Sequence, residues 1–287
     1  MTTEPDRLVG EVPLQVRAAA AQRKYGWRLQ YWLKSISPPT IAVLLVLALW
    51  QLTVHFTGVA AFILPSPSEV AVALWQDAPI LLPNAWITLQ EILVGLVISI
   101  LVGIPLAVLL VSFKPIERAL YPLLIASQVV PKVALTPLFL IWFGLGLMPK
   151  IVMVVLMAFF PIVINTALGL RGIEIEKLYL AQSMGAGRLT TLARFQIPGA
   201  LPSMFSGIKL ATTLAVIGAI VGEFVGASEG LGYSIQQGMA RLNAPLTFAA
   251  IIYLTVIGML LFLVVDVIER IALPWHVSRR ADFNVSQ

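Results

Sequence analysis

The sequence predicts an all-α integral membrane protein with six transmembrane helices. Of its 287 residues, 59% are hydrophobic and only 11% are charged, with a mean hydropathy of +0.92. A soluble domain carries about 25% charged residues. Long apolar runs recur along the chain, and about 20 mostly apolar residues suffice for a helix to cross a bilayer. The unit of organisation is therefore the spanning helix.

Six stretches have the length and apolarity of membrane-spanning helices, and we number these predicted spans in chain order. The fourth and sixth contain no charge, whereas the third contains Lys132 and the fifth contains Lys209 and Glu223. The predicted spans are residues 40–56, 85–113, 119–143, 151–170, 200–225 and 246–265.

The distribution of lysine and arginine predicts that both chain ends face the cytoplasm, where membrane proteins carry an excess of these residues. Fifteen lie in the N-terminal arm, after the second and fourth spans and near the C-terminus, against two, Lys150 and Arg241, on the opposite side. The predicted organisation is a cytoplasmic basic arm (residues 1–39), a transmembrane domain (residues 40–273) and a cytoplasmic tail (residues 274–287).

Several chemistries find no support in the sequence. The chain has no cysteine, and its two histidines, His55 and His276, are far apart. No phosphate-cradling G-x-x-x-x-G-K-[ST] loop is present. We therefore expect no enzymatic activity, no catalytic residues, no metal site and no cofactor bound by this chain. We assign the basic arm to the membrane surface rather than to nucleic acid.

The longest polar interruption, residues 171–199, lies between the fourth and fifth spans. Residues 171–184 are rich in helix formers, and Leu178, Ala181 and Gln182 would share one face of a helix. Such a helix could dock into a groove on another protein, or it could be an amphipathic connector that packs on its own bundle. The pattern alone leaves both readings open.

The end of this helix is predicted from glycine and proline. Gly185 and Gly187 suit the left-handed residue that ends many helices. Residues 188–196 can then form a second helix, which Pro198 and Pro202 are expected to break before the fifth span.

The segment resembles the EAA loop of permeases from bacterial ABC importers. In register, Tyr179-Leu180-Ala181 stands for Glu-Ala-Ala, Gly185 is the motif glycine, and Phe195-Gln196-Ile197-Pro198 stands for Ile-x-Leu-Pro. Tyr179 thus departs from the family's glutamate, and Glu174 and Glu176 lie about one turn earlier. The resemblance implies that the loop contacts a separate ATPase through Glu176, Tyr179, Leu180, Ala181, Gly185, Ala186, Ile197 and Pro198.

The resemblance extends beyond the loop. The segments "LPSPSEV", "PLFLIWFGLG", "FFPIVINT" and "GASEGLGY" resemble permeases of the nitrate, sulfonate and taurine group, and "VPKVALTPLFLIWFG" is closer to permeases for thiamine-precursor pyrimidines or riboflavin. It implies a multi-pass permease subunit of an ATP-driven importer in the bacterial inner membrane.

The expected partners also follow from the resemblance. They are a second permease copy, a dimer of cytoplasmic ATP-binding subunits that hold ATP and Mg²⁺, and a periplasmic or lipid-anchored substrate-binding protein. The alternative is a secondary transporter or channel without an ATPase.

Polar residues inside predicted spans are candidates for the substrate pathway, because ionisable groups are costly in the membrane. These candidates are Gln128, Lys132, Asn165 and Glu223. Each has a structural alternative. Lys132 could bind carbonyls freed by Pro131, Asn165 could bond to another helix, and Glu223 is expected to face solvent.

Three further expectations concern the ends of the spans. Glu91 is assigned an interfacial role, and Asp266, Glu269 and Arg270 are interpreted as helix-end charges. The glycine-rich residues 226–238 are expected to form an outer loop or short re-entrant turn.

Overall fold

The computed structural model describes residues 40–274, and every regular element in that range is helical. The predicted N-terminal arm and nearly all of the predicted C-terminal tail lie outside the described residues. The described chain divides into two units. One comprises residues 40–59 and 66–68, and the other comprises residues 60–65 and 69–274.

The helices follow the predicted order along the chain. They are α1 (Thr40–Thr57), α2 (Pro67–Gln76), α3 (Ala78–Ser112), α4 (Lys114–Val129), a 3₁₀ turn (Lys132–Leu135), α5 (Thr136–Phe143), α6 (Leu147–Arg171), α7 (Ile175–Ser183), α8 (Arg188–Thr191), a π turn (Leu192–Gln196), α9 (Ile197–Phe224), α10 (Leu231–Ala240) and α11 (Ala244–Ala272).

Five helices within residues 40–274 are long and apolar enough to cross a membrane, namely α1, α3, α6, α9 and α11. Helix α4 and the segment Lys132–Phe143 are together long and apolar enough for a sixth crossing, but they meet at an angle of 87°. They count as a sixth crossing only if this bent pair is one broken span. The predicted third span, residues 119–143, is therefore broken near its middle. Val130 has extended backbone angles, which a residue before proline favours, and Pro131 has no N–H to continue a helix.

The predicted break at Pro198 and Pro202 is wrong. Residues Arg188–Phe224 form one long apolar helical run in which the π turn precedes α9. Pro198 lies in the first turn of α9, directly after the π turn, and Pro202 lies further inside the helix.

The centre of the bundle is built from small residues that allow close helix approach, which is how helices associate in membranes. On α9, Ala211, Ala215 and Ala219 are fully buried. A Cβ added at Gly218 would lie 2.8 Å from Cα of Val154 on α6, so the two backbones are in contact there. Helices α3, α6 and α9 therefore form one tightly packed core.

This packing gives the bundle two ends. We call the end that carries α7 the α7 end and the opposite one the α10 end. Helix α3 starts at the α10 end, where Asn84 bonds to the start of α10, and runs to Phe113, which lines a cavity with α7. Helix α3 thus connects the two ends of the bundle.

Candidate functional site

Helix α7 ends in a glycine turn that matches the sequence prediction. Gly185 has φ +76°, its N–H donates to Gln182 O at 2.9 Å, and the Ala186 N–H donates to Ala181 O at 2.9 Å. These two bonds form a Schellman motif, which needs a left-handed residue at the position of Gly185. Gly187 has φ −68° and precedes α8, so the same prediction for Gly187 is wrong.

Helix α7 has one buried and one exposed face. Ala181 is fully buried, while Leu178 and Gln182 line a cavity of about 790 Å³ against the last turns of α3. The exposed side of α7 and its C-cap carries, around the polar residues Glu176 and Ser183, an apolar surface of the kind that marks an interaction site in a soluble environment. We call it the α7 row; it consists of Ile175, Tyr179, Leu180 and Met184, each 55–74% exposed.

The other residues assigned to the loop differ in exposure. Glu176 is exposed and forms no ion pair within residues 40–274, whereas Glu174 pairs with Lys177 at 3.1 Å. Ile197 and Pro198 are half-buried at the start of α9, where Ile197 packs against a buried cluster. The second half of the motif therefore anchors the spanning helix and contributes little exposed surface.

Lys132 lies at the break between α4 and α5. Its side chain is half-buried, and its Nζ donates to Gln128 Oε1 at 2.9 Å. No carboxylate in the described range pairs with it. The structure thus brings two pathway candidates together at the bend.

Asn165 lies in the middle of α6. Its Nδ2 donates to Pro161 O at 2.8 Å within the same helix, so the expected bond to another helix is not formed. A Cβ added at Gly207 on α9 would lie 2.7 Å from Cβ of Asn165, which shows that this side chain packs between α6 and α9.

Glu223 is fully buried at the α10 end, so the expectation that it faces solvent is wrong. It accepts hydrogen bonds from Thr88 Oγ1 at 2.6 Å and from the Gly232 N–H. The physical reason is that the backbone after α9 folds back over the end of the helix. This covers the carboxylate and supplies an N–H donor.

Glu91 is also fully buried, and the interfacial role assigned to it is wrong. Lys150 Nζ donates to Glu91 Oε1 at 2.7 Å and to Glu229 O at 3.3 Å. The sequence pattern predicts a loop position for Lys150, but this residue lies in the first turns of α6 with 5% exposure. Opposite charges near the same end of neighbouring spans are the signal that could have indicated this pair.

Residues 226–230 of the glycine-rich segment form an irregular loop as predicted, whereas residues 231–238 lie in a helix. Only residues up to Gly230 are irregular, and α10 follows directly. A Cβ at Gly238 would lie 3.1 Å from Asn243 O, so this glycine serves close packing within a helix. Glycine content misled the prediction because tight packing and turns use the same residue.

A second charge cluster joins α9 and α11 at the α7 end. Lys209 forms ion pairs with Asp266 and Glu269, and Arg270 Nε contacts Asp266 Oδ2 at 2.7 Å. Asp266 and Glu269 lie in the last two turns of α11, as predicted, and there they pair with Lys209. Within the described residues, no group of three or more His, Cys, Asp or Glu side chains could hold a metal ion.

The chain belongs to the family of binding-protein-dependent transport system inner membrane components, whose model matches residues 95–274. It is 38% identical over 239 residues to the formylaminopyrimidine transport permease protein ThiX of Halalkalibacterium halodurans, covering 83% of this chain and 95% of the relative. It is 37% identical over 240 residues to the riboflavin transport system permease protein RibX of Chloroflexus aurantiacus, covering 83% and 90%.

More distant relatives agree with this assignment. The chain is 30% identical to the putative aliphatic sulfonates transport permease protein SsuC of Bacillus subtilis, covering 94% of this chain and 96% of the relative. A solved structure of the MetNI methionine ABC transporter in an inward-facing conformation aligns with a TM-score of 0.62 at 22% identity, covering 69% of this chain and 98% of that chain. This last match supports the fold alone. The protein is an ABC importer permease subunit of the inner membrane.

Proposed function

We propose that this permease couples to a separate ATP-hydrolysing subunit through α7 and its glycine turn. The observation that carries the proposal is the α7 row, an exposed apolar surface above the buried Ala181. A short helix that is packed on one side and has several exposed apolar side chains on the other is suited to a groove on a partner protein. Glu176, Tyr179, Leu180, Gly185 and Ala186 are the contact candidates.

The remaining loop residues have a supporting role in this proposal. Ala181 seats α7 on the bundle, and Ile197 and Pro198 join the π turn to α9, so a displacement of α7 would reach the spanning helix directly. ATP and Mg²⁺ bind to the partner, and this chain binds no cofactor of its own.

In this proposal, two copies of the chain form the pathway. The α7 end faces the cytoplasm. A substrate-binding protein delivers the solute at the α10 end. The predicted charge bias supports this orientation, since Arg171, Lys177, Arg188 and Arg194 lie in or next to α7 and α8. Nucleic acid has no part in this function.

For the solute, the relatives at 37% and 38% identity favour a small organic molecule of the pyrimidine or riboflavin type. The relative at 30% identity keeps aliphatic sulfonates as the second class. Solute classes are therefore best compared in one uptake assay.

Uptake into proteoliposomes that contain the permease, its ATPase subunit and its binding protein tests this function. We expect accumulation of formylaminopyrimidine or riboflavin, with taurine as the comparison. Accumulation should require ATP on the side of the membrane that carries α7. That side is identified by the reaction of Met184→Cys with an impermeant thiol reagent, since the chain has no native cysteine. Binding protein should be required on the other side. If uptake without ATP or without the ATPase subunit is as fast as uptake by the complete system, the protein is a secondary transporter or channel.

Lys132 and Gln128 are our candidates for the wall of the pathway. A broken spanning helix with a cation at the break is a common way to expose polar groups to a transported solute. Asn165 and Glu223 are held by protein partners and are less exposed to a solute.

Lys132→Met is expected to lower uptake about tenfold, the size of one lost hydrogen bond to a charged group. Membrane abundance and ATPase association should stay at wild-type levels. Lys114→Met is the matched control, because Lys114 starts the other end of the same broken span and is exposed. Unchanged uptake in Lys132→Met would remove this residue from the pathway, and loss of folded protein would make its role structural.

A further inference from the structure

The first N–H groups of α10 are satisfied by side chains from other helices. The Gly230 N–H donates to Asn84 Oδ1 at 2.7 Å, the Leu231 N–H donates to Thr88 Oγ1 at 2.9 Å, and the Gly232 N–H donates to Glu223. A helix leaves its first four N–H groups without partners inside the helix. A local side chain usually caps them, but Gly230 occupies that position and has none. The start of α10 therefore depends on α3 and α9.

The acceptors are themselves connected. Thr88 Oγ1 accepts from Leu231 and donates to Glu223 Oε1, so one hydroxyl links the backbone of α10 to the carboxylate on α9. Lys150 on α6 adds a bond to Glu229 O, one residue before the turn. Four consecutive residues, 229–232, are thus each bound through their backbone to a side chain of a spanning helix.

The fit on the α10 side is equally tight. A Cβ added at Gly232 would lie 2.8 Å from Glu223 Oε2, so only glycine lets the backbone approach the carboxylate this closely. Below this contact, Leu231 and Ile235 pack with Leu81 and Leu246 in a buried cluster. Hydrogen bonds and packing therefore hold the same face of α10.

We propose that Glu223 is a positioning residue which, with Thr88 and Asn84, fixes α10 to α3 and α9, so that these helices move as one body during transport. Two protein donors bind the Glu223 carboxylate and none of its surface is exposed, so it is not placed to bind a solute. The solute pathway at the α10 end must then open and close by movement of this body relative to the neighbouring helices. Helix α10 does not move separately. The attachment does not depend on the solute or on the ATPase, although its use in transport rests on the proposed function.

Hydrogen exchange of the segment 229–240, measured by mass spectrometry on the purified full-length chain, tests the attachment. Thr88→Val keeps the side-chain shape but removes the acceptor for Leu231 and the donor for Glu223. We expect exchange in this segment to become about tenfold faster or more, because a buried donor loses its partner. Thr88→Ser should restore the wild-type rate. Wild-type exchange in Thr88→Val would overturn the proposal.

Ser99→Ala is the matched control. It also removes a buried hydroxyl from α3, but Ser99 Oγ donates to Gly95 O in its own helix at 2.7 Å. It should leave exchange in residues 229–240 unchanged. Faster exchange in this variant too would show general loosening of α3 and count against a specific attachment.

Uptake separates positioning from solute binding. Thr88→Val should lose most uptake and Thr88→Ser should keep it, while Glu223→Gln, which preserves one carbonyl acceptor, should keep more than Glu223→Ala. If Glu223→Gln abolishes uptake with wild-type exchange, the carboxylate acts on the solute and the positioning role is wrong. If Glu223 variants fail to fold, the Thr88 pair still decides. ATP-independent uptake would contradict the proposed function but leave the exchange result intact.

Discussion

Replacing Lys150 with methionine is expected to destabilise the permease strongly, because the change leaves a buried carboxylate without its partner. Lys150 is 5% exposed and Glu91 is fully buried, and their side chains pair at 2.7 Å. Removing one partner of a buried pair leaves an uncompensated charge, which costs about 3–5 kcal/mol. The free energy of unfolding in detergent and the amount of protein in the membrane should both fall sharply.

A double variant and a control at an exposed ion pair test whether the unpaired Glu91 carboxylate causes the loss of stability. Lys150→Met combined with Glu91→Gln should recover part of the stability, because the residue that paired with Lys150 then carries no charge. Lys177→Met is the control, since the Lys177–Glu174 pair is 59% and 67% exposed and such pairs contribute little. If Lys150→Met unfolds at the wild-type midpoint, the buried ion pair does not stabilise the fold.

Features that depend on neighbouring residues could be predicted from the sequence. Apolar runs locate the spanning helices, but their ends differ by up to seven residues: α6 is Leu147–Arg171 against the predicted 151–170, and α11 is Ala244–Ala272 against the predicted 246–265. The turn at Gly185 could be predicted because a left-handed position at a helix end is a local requirement.

Features that depend on distant residues could not be predicted. Glu91 and Lys150 are 59 positions apart, and Glu223 and Thr88 are 135 apart. Composition and periodicity contain no information on which helix ends meet, so they place each acid in water or at the interface. The burial of Glu223 in particular follows from the fold of residues 225–232 over the end of α9.

Replacing Gly185 with valine is expected to uncouple the permease from its ATPase while the membrane domain stays folded. Gly185 has φ +76°, a conformation that costs a residue with a side chain about 1 kcal/mol or more. An added Cβ would have no atom of this chain within 4 Å, so no clash inside the permease contributes. The strain acts on the two hydrogen bonds that end α7, next to Leu180 and Met184 of the α7 row.

The measurements are co-purification with the ATPase subunit, ATP hydrolysis and uptake, each at equal membrane abundance. Association should weaken about fivefold or more, which is what about 1 kcal/mol of backbone strain produces. Uptake should fall with it, or hydrolysis should continue without uptake.

Gly58→Val is the matched control for this change. Gly58 follows α1 with φ +64°, and a Cβ there would also have nothing within 4 Å, so the variant carries a similar backbone strain in a different segment of the chain. It should leave association, hydrolysis and uptake unchanged. An equal loss in both variants would show that strain anywhere in the chain suffices. If Gly185→Val retains wild-type association, hydrolysis and uptake, then α7 is a connector between two spans and the ATPase docks elsewhere.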